Sequence, residues 1–193
     1  MSSRQNEIGF YKAMSVKQRA IYLLDNYKHR RYFDTRRRKE IEEMIADIRA
    51  YERNRNDELG VRILSGMGMS DITSAAAEES IKIKNAFEAG TITESLIHDA
   101  DDREMVKIAI DEWLVIKDDY VSLERAMYKL KPEDHELLLD YLEKKKDYND
   151  IATEFMIEKA SARKKIQRLR CEVRYIVSPD IKRHGLRWLD LVG

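Results

Sequence analysis

Helix breakers are scarce in this chain, with two prolines and seven glycines spread over 193 positions. Inside a helix a proline costs about 3 kcal/mol and a glycine about 1 kcal/mol relative to alanine, so long stretches lacking both are free to stay helical. Charged residues make up 37% of the chain and apolar residues 43%. That is enough apolar surface for a core, and more charge than an average globular domain carries. Both properties belong to amphipathic helices, and the expected fold class is all-α.

Capping and periodicity divide the chain into segments. Ser15 precedes Gln18 by three, the capping-box spacing, and predicts a helix to about Tyr32 with Ala20, Leu23, Leu24 and Tyr27 on its apolar side. A second helix is predicted over Arg36–Leu64, with Ile41, Met44, Ile45, Ile48 and Tyr51 at helical spacing. Its other faces are charged, so it must pack on another helix or another chain. Ser65-Gly66-Met67-Gly68-Met69-Ser70 reads as a joint, followed by a short helix within Asp71–Gly90 and a second capping pair, Thr91 and Glu94.

A long helix is predicted from Asp102 to Leu130. Ile110, Trp113, Ile116, Tyr120, Leu123, Met127 and Leu130 form a seam on it at spacings of three and four. Such a seam faces either the core of one domain or a partner helix. Pro132 marks a helix start, Lys144–Asp147 a polar turn, and Tyr148–Phe155 a short helix. A last long helix should run from Lys159 to Val177, stopped by Ser178-Pro179, with the apolar tail docking beyond it. The expected organisation is a charged helical segment at 1–64, a linker with a short helix at 65–101, and a C-terminal domain at 102–193.

The net charge is zero, yet the charge is segregated. One basic cluster holds Lys28, Arg30, Arg31, Arg36, Arg37, Arg38 and Lys39. Another holds Lys159, Arg163, Lys164, Lys165, Arg168, Arg170 and Arg174, and the stretch between them, Asp57–Glu124, is mainly acidic. Glu40, Glu42 and Glu43 follow the first cluster at helical pairing distance. The second cluster would repel itself without an anionic partner.

Several classes are set aside by what is missing. Cys171 is the sole cysteine, so no internal disulfide can form and a reducing compartment is expected. No segment approaches the ~20 apolar residues that span a bilayer, and the N-terminus lacks a signal peptide's apolar stretch. The expectation is a cytoplasmic protein with no membrane partner. His29, His98, His135 and His184 lack metal-ligand spacing, and Asp99, Asp101 and Asp102 lack the rest of a calcium loop. With no phosphate-cradling glycine loop and no nucleophile motif, an enzyme, a metal and a cofactor are not expected.

The stretch from Leu130 to Val173 carries the functional signal. Ile151-Ala152 supplies the apolar and small pair that lets two helices cross closely, and Phe155 and Ile157 flank a turn, where they are expected to plug the angle. Ala162, Ile166, Leu169, Val173 and Ile176 give the last helix one apolar face. The opposite face is basic, which is what a recognition helix presents to a major groove. Lys159, Ser161, Arg163 and Lys164 are the base-reading candidates, and Lys165, Arg168 and Arg170 the phosphate-binding candidates.

With Leu130, Pro132, Glu133, Tyr148-Asn149-Asp150-Ile151-Ala152, Phe155, Ile157, Ile166 and Arg168, this stretch resembles region 4 of sigma factors. The layout of the whole chain resembles phage regulators of late transcription of the ArpU and RinA type. The resemblance implies a C-terminal helix-turn-helix, double-stranded DNA as ligand, transcription activation in a bacterial cell, and RNA polymerase or a second copy of the chain as further partners. At the turn position that such motifs fill with glycine, this chain has Met156. At the cap of the recognition helix, usually Ser or Thr, it has Glu158. Two other classes fit the same features: a packaging subunit of the small-terminase kind, and a helical adaptor that touches polymerase alone.

Overall fold

The computed structural model describes residues 10–58, the helical positions 81 and 85, and residues 100–187. The expected joint at Ser65–Ser70, the capping pair Thr91 and Glu94, and the tail from Trp188 lie outside these residues. Among the described residues every regular element is helical. They are α1 (Phe10–Ala13), α2 (Val16–Asp25), a single 3-10 turn (Tyr27–His29), α3 (Arg30–Glu58), α4 (Ala100–Met127), α5 (Pro132–Leu142), α6 (Tyr148–Glu154) and α7 (Lys159–Arg187).

The helix starts follow their caps. Ser15 and Gln18 form the expected box: the Gln18 amide donates to Ser15 Oγ at 3.3 Å and the Ser15 amide to Gln18 Oε1 at 2.9 Å. Pro132 occupies the first turn of α5, where its missing N–H has no intrahelical partner to lose. The predicted helix from Ser15 to Tyr32 is instead broken at Asn26. The Asn26 backbone and side-chain amides both donate to the carbonyl of Tyr22, at 3.0 and 2.9 Å, and end α2 there. The following helix consequently begins at Arg30 rather than Arg36.

The chain forms two compact units, one from Met1–Thr35 with Asp111–Gly193 and one from Arg36–Ile110. This differs from a division into consecutive segments, because α1 and α2 share a core with the C-terminal helices. Leu23 and Leu24 of α2, Leu123 and Met127 of α4, Leu138 of α5 and Ile151 of α6 pack with Ala162, Ile166, Leu169 and Val173 of α7. Tyr120, Leu123, Met127 and Leu130 thus spend the α4 seam on the core of one unit. Trp113 is buried as well, its indole N–H donating to Asp34 at 2.9 Å. In the second unit Ile41 and Ile45 of α3, and Val106, Ala109 and Ile110 of α4, are buried.

A buried polar knot ties α1, α2, α4 and α7 together within the first unit. Asp119 is fully buried and accepts from Tyr11 Oη at 2.7 Å, from Arg19 through Nε at 3.1 Å and a second guanidinium nitrogen, and pairs with His184 Nδ1 at 2.7 Å. Burial beside Asp119 drives the Tyr11 phenol far above its ordinary pKa, so its proton stays on the hydrogen bond. Gly185 belongs to this knot, since a Cβ there would sit 3.2 Å from an Arg19 guanidinium nitrogen.

The last helix does not stop at Ser178-Pro179. It continues through Pro179 to Arg187, and its apolar stripe extends to Val177 and Ile181, both fully buried. A proline inside a helix costs about 3 kcal/mol. Beyond the proline, burial of Ile181 returns roughly 1.5–3 kcal/mol and the His184–Asp119 hydrogen bond adds to it, which offsets the interruption. Ser178 Oγ donates to the Arg174 carbonyl at 2.6 Å beside the interruption.

Candidate nucleic-acid interface

The candidate site is built from α6, the turn after it, and the first three turns of α7. Asp147 caps α6 by accepting from the amides of Asn149 and Asp150 at 2.6 and 3.0 Å, while Asp150 Oδ2 accepts from the Asp147 amide at 2.8 Å. This is a capping box written with two aspartates. Those amides hold the Asp147 carboxyl below the usual carboxylate range.

The end of α6 is equally defined. The Met156 amide donates to the Thr153 carbonyl at 3.3 Å and the Ile157 amide to the Ala152 carbonyl at 2.9 Å. With Phe155 as the cap, these two bonds make a Schellman motif whose left-handed position is Met156, at φ 50°. The same pattern ends α5, where Lys144 has φ 61° and the Lys144 and Lys145 amides donate to Tyr141 and Asp140. Neither left-handed position is a glycine, yet both stops fall where the polar run Lys144–Asp147 and the end of the short helix at Phe155 are expected.

The tip of the turn is apolar and open. Met156 is 93% exposed, and Phe155 and Ile157 are 38% and 37% exposed, so these two do not plug the interhelical angle as expected. The angle is filled instead by Ile151 and Ala162, which are fully buried. The Phe155 ring lies 4.4 Å from the ammonium of Lys165.

The seven predicted site residues separate into two groups. Lys159, Ser161, Arg163, Lys164 and Arg168 are exposed, and among the described residues no ion pair holds Arg163, Lys164 or Arg168. Lys165 and Arg170 are half-buried and already engaged. Lys165 Nζ sits 3.6 Å from Asp134 of α5, and the Arg170 guanidinium pairs with Asp25 of α2. They fasten α7 to its neighbours and leave the other five facing solvent. On α3, Arg36, Arg37, Arg38 and Lys39 pair along their own helix with Glu40, Glu42 and Glu43.

Two exposed side chains further along α7 escaped the sequence reading, Tyr175 and Lys182. Lys182 lay past the presumed stop at Pro179. The signal that would have found it is the continuing apolar spacing Val173, Val177, Ile181.

Among the described residues no three histidine, cysteine, aspartate or glutamate side chains converge as metal ligands. No helix among them is long and apolar enough to cross a membrane. No protein-family model matches the chain, and no curated protein or solved structure matches it significantly.

Proposed function

We propose that this chain is a sequence-specific, double-stranded-DNA-binding transcription regulator in which α6, the Met156 turn and α7 act as a helix-turn-helix. One observation carries the reading. Arg163, Lys164 and Arg168 stand exposed and unpaired on one helix, whereas the run Arg36–Lys39 on α3 is spent on ion pairs within its own helix. Unpaired cations brought this close repel one another by a Coulomb energy that a polyphosphate backbone would reverse.

A helix about 10–12 Å across fits a major groove about 12 Å wide. In that pose Lys159, Ser161, Arg163 and Lys164 are the groups that meet base edges, and Arg168 meets phosphate. Lys165 and Arg170 act as braces, because contact with DNA would require them to leave Asp134 and Asp25. The likeness to sigma region 4 and to phage late regulators supports activation of transcription as the outcome of binding.

The test is selection from a random-sequence duplex library with the purified chain, followed by salt titration of the winners. An enriched sequence is expected, with affinity falling steeply in salt and Arg163→Ala relaxing the preference at one or two positions. Failure to retain any duplex at ~50 mM salt, where phosphate contacts are strongest, rejects the reading.

A further inference from the structure

We infer that the outer stripe of α7 beyond the base-reading segment, carried by Tyr175 and Lys182, is a second contact to the phosphates of the same duplex. This rests on the DNA-binding reading above and fixes how the helix lies on its ligand.

The unbroken helix is the starting point. α7 runs 29 residues, from Lys159 to Arg187, and at 1.5 Å per residue it is about 43 Å long, several times the groove width. A straight rod of that length cannot follow the curving groove throughout, so its later turns rise toward the phosphate rim. Tyr175 lies eleven residues after Lys164, about three turns and ~16 Å along the axis, on the same face. Lys182 lies eighteen residues after Lys164, about five turns and ~27 Å along, again on that face. Both are exposed, Tyr175 to 84%.

A helix lying lengthwise in the groove with Lys164 and Arg168 at the bases and inner rim brings Tyr175 out where the far phosphate rim runs. A tyrosine hydroxyl and a lysine ammonium are both phosphate donors. The nearby acids leave the stripe open. Asp180 is taken by Arg183 at 3.6 Å, and the exposed Glu172 sits about 60° round the helix from Tyr175. A second copy of the chain is a poor occupant, because Lys164, Arg168 and Lys182 would face their own likeness.

The alternative pose enters the groove end-on, by the first turn of α7, and lifts Tyr175 and Lys182 away from the duplex. The experiment separates the two. Binding of the full chain to a fluorescein-labelled, mixed-sequence duplex of about 24 base pairs is followed across salt concentrations. Lys182→Gln should lower the log–log salt slope by ~0.9, the share of one phosphate. Tyr175→Phe should weaken binding about 3–10-fold and leave the slope alone. Arg183→Gln, on the internally paired neighbour, should change neither. If Tyr175→Phe and Lys182→Gln bind as the parent does while Lys164→Ala weakens, the end-on pose holds and the inference is overturned with DNA binding intact. If the parent binds no duplex, both readings fall together.

Discussion

Arg36, Arg37, Arg38 and Lys39 on α3 and Lys159, Arg163, Lys164 and Arg168 on α7 are both sets of four cations on 29-residue helices. The fold treats them differently. On α3 the charges meet glutamates three and four residues on, with Arg36 2.8 Å and Arg37 3.2 Å from Glu40, and Arg38 2.9 Å from Glu42. Burial alone would raise the pKa of Glu40, but the Arg36 and Arg37 hydrogen bonds prevail and lower it. On α7 the residues three and four away from Lys164 and Arg168 supply no acid except Glu172, and none forms a pair. Cation density alone therefore does not mark a polyanion site. On the proposed reading, what marks it is density without an internal acceptor, and the spacing of glutamates separates the two runs.

Arg19 is the extreme closed case, and it offers the largest expected effect. It is 4% exposed and held by a carboxylate with no exposure at all. Asp119→Ala would strand a buried guanidinium and leave Tyr11 and His184 without their acceptor. The expected loss is about 3–5 kcal/mol of unfolding free energy, read from urea denaturation. A loss under ~1 kcal/mol would mean that water reaches Arg19 and that the knot is not the closed end of the comparison.

The open end should answer in binding instead. Lys164→Ala with Arg168→Ala should weaken binding to a mixed-sequence duplex at least 10-fold at ~100 mM salt. The same change should reduce the log–log salt slope by about 0.9, the share of the one phosphate that Arg168 meets. Arg36→Ala with Lys39→Ala should leave the slope unchanged, because those charges are already neutralised on their helix. Equal losses from the two pairs would break the comparison, since the α3 run would then reach DNA despite its glutamates.

How much of this was legible in the sequence depends on whether a signal is local. The Ser15–Gln18 box, Pro132 at a helix start, the seam of α4 and the inward stripe Ala162, Ile166, Leu169, Val173 are patterns within a few residues and stand as the spacing implied, except that the last expected member, Ile176, is only partly buried and Val177 takes its place. The exposure of Lys159, Ser161, Arg163, Lys164 and Arg168 followed from that stripe, because residues opposite buried ones face outward. The braces did not follow. Lys165 meets Asp134 and Arg170 meets Asp25 across 31 and 145 positions of sequence, and only the packing of α5 and α2 on α7 brings those acids near. The run past Pro179 was missed for a similar reason. A stop signal worth about 3 kcal/mol was weighed without the burial of Ile181, a contact with distant helices.

Met156 sets the smallest of these effects and tests whether the turn and the basic face are separable. A non-glycine residue at φ 50° carries strain, and its side chain, 93% exposed, gains little packing in return. Glycine keeps both Schellman bonds, since the amides of residues 156 and 157 donate with or without a side chain. Met156→Gly should therefore stabilise the chain by about 1 kcal/mol, less whatever flexibility glycine adds to the unfolded state. Thermal melting should register this as a rise of a few degrees. DNA affinity should stay within about twofold, because on the proposed reading the turn fixes the helices while the cations of α7 make the contact. A stabilised variant that binds tenfold more weakly would place the methionine itself at the interface, and the apolar tip would then join the cationic stripe as part of the binding surface.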